Sequence, residues 1–101
     1  MKFNRIFAGT IRKMSIDDFS KYINDDVPSY KKQVLDYLKR HGPCSFTSQP
    51  VYDRFSGKEV FAADNAHSDG YYTWYESEIY HFDKYNLKLN DDFIQYVLAK
   101  S

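Results

Sequence analysis

The sequence predicts an α+β fold in one domain, residues 1–101, with helices packed on a small antiparallel sheet. Three observations predict it. The chain is 101 residues long, the size of a single domain. Its two flanks repeat apolar residues at helical spacing. Its middle, from residue 44 to 75, is rich in β-branched and aromatic residues and is broken by turn residues. Helices, strands and then helices again is the order of an α+β architecture.

The elements follow in turn. Phe3, Ile6, Phe7 and Ile11 fit a helical stripe, but Gly9 and Thr10 interrupt it, so residues 1–14 fit a helix or a short strand. Ser15 is the expected N-cap of the next helix, with Asp17 and Asp18 favourable in its first turn and Ile16, Phe19 and Ile23 on its apolar face. "NDDVP" ends it, because proline disfavours helical geometry in the residue before it. Ser29 is expected to cap "YKKQVLDYLKRH", which lines up Tyr30, Val34, Tyr37, Leu38 and His41, with Leu35 beside them. Lys39, Arg40 and His41 complement the dipole at its end, and Gly42-Pro43 stops it.

From Cys44 the period changes. "CSFTSQPVYDRFSGKEVFAAD" reads as two strands joined at "DRFSGK", where Gly57 gives permissive backbone geometry. Pro50 marks an edge or the start of the first strand. "HSDG" is a turn and "YYTW" a short strand. "ESEIYHFDKY" returns to helical spacing with Ile79 and Phe82 inward, and Asn90 caps a last helix carrying Phe93, Ile94, Val97 and Leu98.

A chain of this size buries only about 60–70% of the surface its unfolded form exposes. Ten tyrosines and eight phenylalanines make a small core efficient, since each buried ring removes a large apolar area. Net charge is zero, which argues against a general nucleic-acid binder. The distribution is uneven, however. Residues 1–63 hold 11 Lys/Arg against 7 Asp/Glu, and residues 64–92 hold 2 against 7. Such asymmetry bears on association, not on fold. One cysteine, Cys44, excludes an internal disulfide. The N-terminal apolar run "IFAG" is too short for a signal peptide, and no window reaches transmembrane length, so a soluble cytosolic protein without a membrane partner is expected.

The chain lacks the phosphate-binding, dinucleotide, nucleophile-elbow and zinc-protease motifs. His41, His67 and His81 are not spaced to bind one metal from one helix face, and His41 reads as a dipole partner. Adjacent residues in "HSD" cannot form triad geometry. Cys44 has no visible activating partner. Asn65-x-His67-x-Asp69-Gly70 with Glu76 partly matches a calcium-binding loop, but Asn and His fill its first two ligand positions and a strand-like segment precedes it. No cofactor and no metal are expected, and the reading is of a protein that is not an enzyme. Tyr71, Tyr72, Trp74 and Tyr75 have the chemistry to stack on bases, but their segment is negative.

The densest stretch is "DGYYTWYESEIYHFDKYNLKLNDDF", residues 69–93, with five tyrosines beside two glutamates and four aspartates. Together with "VYDRFSG" before it, this stretch resembles a group of small, mostly uncharacterised bacterial proteins. Their pattern is a D-x-x-x-G hairpin turn, then T-D-G-x-x-x-W-P, a helix with paired tyrosines, L-P-x-x-F and a short final helix. The resemblance covers residues 30–98, and Val34 to Leu38 also fits its preceding helix. Trp-Pro is Trp74-Tyr75 here and Leu-Pro is Leu89-Asn90. The group overlaps with immunity proteins of toxin–immunity systems, including contact-dependent growth inhibition. The resemblance implies a binding role and carries no catalytic residue across.

The expected function is therefore that of an immunity protein that blocks the basic cleft of a cognate toxin domain, a nuclease domain being one such target. The alternative is a structural or regulatory interaction module with no toxin. For the immunity reading the partner-binding candidates are Asp64, Asp69, Tyr71, Glu76, Glu78, Tyr80 and Asp83. Acidic groups would steer the encounter, and tyrosines would anchor it. On a strand Tyr72 shares a face with Trp74, so Tyr71 is the better anchor if Trp74 points inward. Reversing the charges of Glu76 and Glu78 is expected to slow association and leave the melt unchanged.

Overall fold

The computed structural model of the protein describes residues 4–46 and 49–100. Phe3, part of the expected N-terminal stripe, lies outside them. The described chain opens with strand β1 (Asn4–Arg5), a 3-10 turn (Ile11–Lys13), helix α1 (Ile16–Ser20) and helix α2 (Lys31–Arg40). Strands β2 (Pro43–Ser45), β3 (Val51–Tyr52), β4 (Glu59–Phe61), β5 (Ala66–Ser68) and β6 (Tyr72–Tyr75) follow, then helices α3 (Glu76–Tyr85) and α4 (Asp91–Ala99). The fold is α+β, as expected.

Four strands pair in the order β1-β6-β5-β2, and β3 with β4 forms a separate two-stranded hairpin. The larger sheet is mixed. β5 is antiparallel to β6 and β2, but β1 runs parallel to β6, with Asn4 opposite Tyr72 and Arg5 opposite Thr73. Of the ambiguous N-terminal segment, Asn4–Arg5 is a short strand and Ile11–Lys13 a 3-10 turn; the strand's partner lies far along the chain, a pairing that local periodicity does not reveal. β5 was also expected as part of a turn. His67 and Ser68 lie in the strand, and the turn is confined to Asp69–Tyr71, with Gly70 at φ 94°.

Helix starts differ in detail. Ser15 caps α1 as expected, accepting from the Asp18 N–H at 3.1 Å. The helix ends by Ser20, whose hydroxyl donates to the Asp17 carbonyl at 2.8 Å and competes with the helical ladder. Five residues cannot present a full stripe. Phe19 is buried, Ile23 is half-buried and Ile16 is 44% exposed. α2 begins one residue later than a Ser29 cap would place it. The Lys31 N–H instead closes a turn on the Pro28 carbonyl at 3.1 Å, and Tyr30 stands at the cap position.

Trp74 is 0% exposed and forms the centre of the core. Its indole N–H donates to the Leu38 carbonyl at 3.3 Å, and the Tyr37 and Phe93 rings flank it at 6.2 and 6.0 Å. These partners lie on α2 and α4. Ile79 and Phe82 are buried as expected. α3 ends at Asn86, which takes a left-handed conformation (φ 57°) and donates from its N–H to Phe82, sending Leu87 and Leu89 back into the core.

Candidate functional site

The two tight turns of the β region are built on the same plan. In the first, Asp53 Oδ1 accepts from the Phe55 and Ser56 N–H groups at 2.9 and 3.0 Å, and Gly57 (φ 75°) closes the turn on the Asp53 carbonyl. In the second, Asp69 Oδ1 accepts from the Tyr71 and Tyr72 N–H groups at 2.8 and 2.7 Å. Each carboxylate also reaches tyrosines on a helix. The Tyr80 and Tyr85 hydroxyls of α3 donate to Asp53, each within 2.6 Å of Oδ2, and the Tyr37 hydroxyl of α2 donates to Asp69 Oδ2. The turns are thereby pinned to the helices.

Electrostatics follow this geometry. Burial raises the pKa of Asp53, but the tyrosine hydroxyls and turn N–H groups outweigh it and hold the carboxyl well below its usual value. Asp69 is lowered in the same way, chiefly by Tyr37 against its own burial. Burial and then Asp53 push the Tyr85 hydroxyl up to about 12.

Asp64, His81 and His67 are engaged in the same way. Asp64 Oδ1 accepts the Ser77 N–H at 3.0 Å and so caps the start of α3 from outside the helix, while Oδ2 accepts from Arg12 Nε at 3.2 Å and forms an ion pair with its guanidinium. His81 donates from Nδ1 to the Ser77 carbonyl at 2.7 Å and accepts the Arg54 N–H at Nε2 at 3.1 Å. Burial lowers its pKa, in keeping with a neutral ring. His67 Nδ1 donates to the His41 carbonyl at 2.8 Å, and its Nε2 lies 2.8 Å from Glu76 Oε1, with which it shares a hydrogen bond. His67 and Glu76 of the calcium-loop match therefore bond to each other. Among the described residues, no group of three or more His, Cys, Asp or Glu is placed to hold a metal ion.

The seven expected partner-binding residues divide among separate sets of contacts. Tyr71 is 54% exposed while Tyr72 is buried, the alternation expected from an inward Trp74. Asp83 is exposed and lies 3.9 Å from Lys39. Asp69, Glu76 and Tyr80 are half-buried, held by Tyr37, His67 and Asp53. Asp64 and Glu78 lie in the interior. Glu78 is 2% exposed, so reversing its charge would place an ammonium or guanidinium inside the protein; the unchanged melt expected from a surface position does not follow.

Sequence reasoning missed the residues around Tyr71. Its ring stacks on Tyr96 of α4 at 5.4 Å and 17°. It borders a cavity of about 530 Å³ with Asp92, Asn90 and the segment from Asn4 to Thr10. Arg5 and Thr10 also border a second cavity, of about 430 Å³, which Asp64, Tyr75 and Glu78 line. The two hollows thus flank one N-terminal segment. The local signal for Asp92 was its place in the acidic stretch; nothing local pointed to Tyr96 or Arg5.

Comparison with protein-family models, with curated proteins and with solved structures gives no match.

Proposed function

We propose that the protein is a non-catalytic binding protein of the immunity type, which neutralises a cognate toxin domain by covering its basic cleft. The observation that carries this reading is the exposed Tyr71 ring, stacked on Tyr96 at a cavity rim shared with Asp92. A tyrosine already held by a neighbouring ring loses little freedom on docking, which favours an anchor role. Asp91 and Asp92, both exposed in the first turn of α4, add negative charge for steering a basic surface. The engagement of Asp53, Asp64, Asp69, His67 and His81 in holding the fold supports binding over catalysis. This reading places the protein in the cytosol, where an incoming toxin would act.

A second reading, an interaction module without a toxin, draws on Tyr52, Phe55 and Phe61, which are exposed around the β3–β4 hairpin. Co-expression with a toxin domain encoded beside its gene separates the two. The immunity reading expects survival and a stable complex, both weakened by Tyr71→Ala. Finding no toxin-like neighbour, or a toxin that is neither bound nor inhibited, favours the second.

A further inference from the structure

Glu78 is the one acid among the described residues with a buried carboxylate oxygen left unpaired. Its Oε1 accepts the Tyr75 N–H at 2.9 Å. Its Oε2 is buried and accepts no hydrogen bond from any described residue. The nearest cation, Arg5 Nη2, stands 3.9 Å away, beyond hydrogen-bond distance, on a side chain 43% exposed. Arg5 is loosely held elsewhere too, 3.5 Å from the Gly9 carbonyl and 5.8 Å from the centre of the Tyr75 ring. Glu78, Arg5 and Tyr75 line the cavity of about 430 Å³. That volume falls in the range of roughly 300–1,000 Å³ typical of ligand pockets. An unpaired buried acceptor is costly and calls for a donor.

We propose that this cavity receives one guanidinium group, an arginine side chain of the binding partner, which displaces Arg5 and donates to Glu78 Oε2 over the face of Tyr75. The identity of the occupant rests on the binding-protein reading; its chemistry rests on the cavity. A carboxylate, an exposed tyrosine face and a hollow between them suit a guanidinium, whose planar fork both donates and stacks. An anion is the poorer match. Of the two arginines at the mouth, Arg12 is already committed to Asp64 and to the Pro50 carbonyl at 3.0 Å, and the unsatisfied atom is an acceptor.

The test is carbon-detected NMR of the full chain with labelled glutamate carboxyls, titrated with N-acetylarginine amide. The Glu78 resonance is expected to move, and its pKa to fall by about one, as an opposite charge within reach demands. Arg5→Ala, which removes the competing cation, is expected to tighten binding about two- to fivefold. Glu78→Gln is expected to abolish binding. No response of Glu78 to the arginine amide at tens of millimolar, or a response to acetate that Arg5→Ala abolishes, would overturn the proposal. A toxin domain that still binds in that event would leave the immunity reading intact. An arginine amide that binds while no toxin domain does would keep the cavity and reject that reading.

Discussion

The Tyr85 hydroxyl lies within hydrogen-bond reach of both carboxylate oxygens of Asp53, at 2.8 and 2.6 Å, across 32 residues of sequence. With Tyr80 it fastens the β3–β4 turn to α3. Hydrogen bonds to a charged group are worth about 1.5–3 kcal/mol each. Asp53→Asn is therefore expected to destabilise by about 3 kcal/mol and Tyr85→Phe by about 1.5 kcal/mol in urea melts. Changes below about 0.5 kcal/mol for both would mean that the clamp contributes nothing.

Acid stability should follow the same carboxylates. Asp53 and Asp69 have folded-state pKa values below their ordinary ones. Their contribution is therefore present above the unfolded value, about 3.9, and is lost as pH falls through the folded values. Thermal melts should drop steeply below about pH 4, and the drop should be shallower in Asp53→Asn. Parallel acid limbs for the two proteins would show that Asp53 does not titrate with unfolding.

Glu78 should act in the opposite sense. Burial raises its pKa to about 7, with Arg5 opposing the rise. A raised folded pKa means that stability is complete below the unfolded value of 4.5 and declines as pH rises towards 7. Glu78→Gln removes that decline. It should gain about 3 kcal/mol over the wild type at pH 8 and almost nothing at pH 4. An equal difference at both pH values would assign the effect to packing.

Much of the fold could be read locally because its signals are local. Ser15, Gly57 and Gly70 mark a cap and turns through their own backbone and side-chain chemistry. The strand alternation that put Trp74 in and Tyr71 out is equally local. What escaped was every contact that closes a long loop. The parallel β1–β6 pair, the Arg12–Asp64 bridge and the cap that Asp64 places on α3 each join residues that no window contains. This is also why the acidic stretch misled. Asp64, Asp69 and Glu78 look like surface charge in sequence, yet all three accept from backbone N–H groups. The abundance of tyrosine has a matching explanation, since Tyr37, Tyr80 and Tyr85 pack their rings while their hydroxyls hold turn aspartates. At the resemblance's Trp-Pro position, Tyr75 brings an N–H that proline lacks, and Glu78 accepts it.

Trp74 gives the core a direct test. Its complete burial between Tyr37 and Phe93 puts Trp74→Ala at about 3–5 kcal/mol of destabilisation. A loss under about 1 kcal/mol in a chemical melt would be incompatible with this packing.

The docking rim makes a kinetic prediction. Tyr71 and Asp92 border the same cavity, but their contributions should separate. Tyr71 is held against Tyr96 and offers contact area, so its loss acts after the encounter. Tyr71→Ala should speed dissociation of the toxin domain at least tenfold, about 1.4 kcal/mol, with the association rate little changed. Asp92 is exposed, and its charge acts at a distance. Asp92→Lys should slow association and weaken its dependence on salt, while the dissociation rate stays within about threefold. Tyr71→Ala loses a ring stack and Asp92→Lys reverses a favourable charge in the first turn of α4, so each melt should fall by about 1 kcal/mol, too little to unfold the protein. Binding that both variants leave unaltered in rate and salt dependence would move the interface away from this rim, and the exposed Tyr52 and Phe61 of the hairpin would be the next surface to mutate.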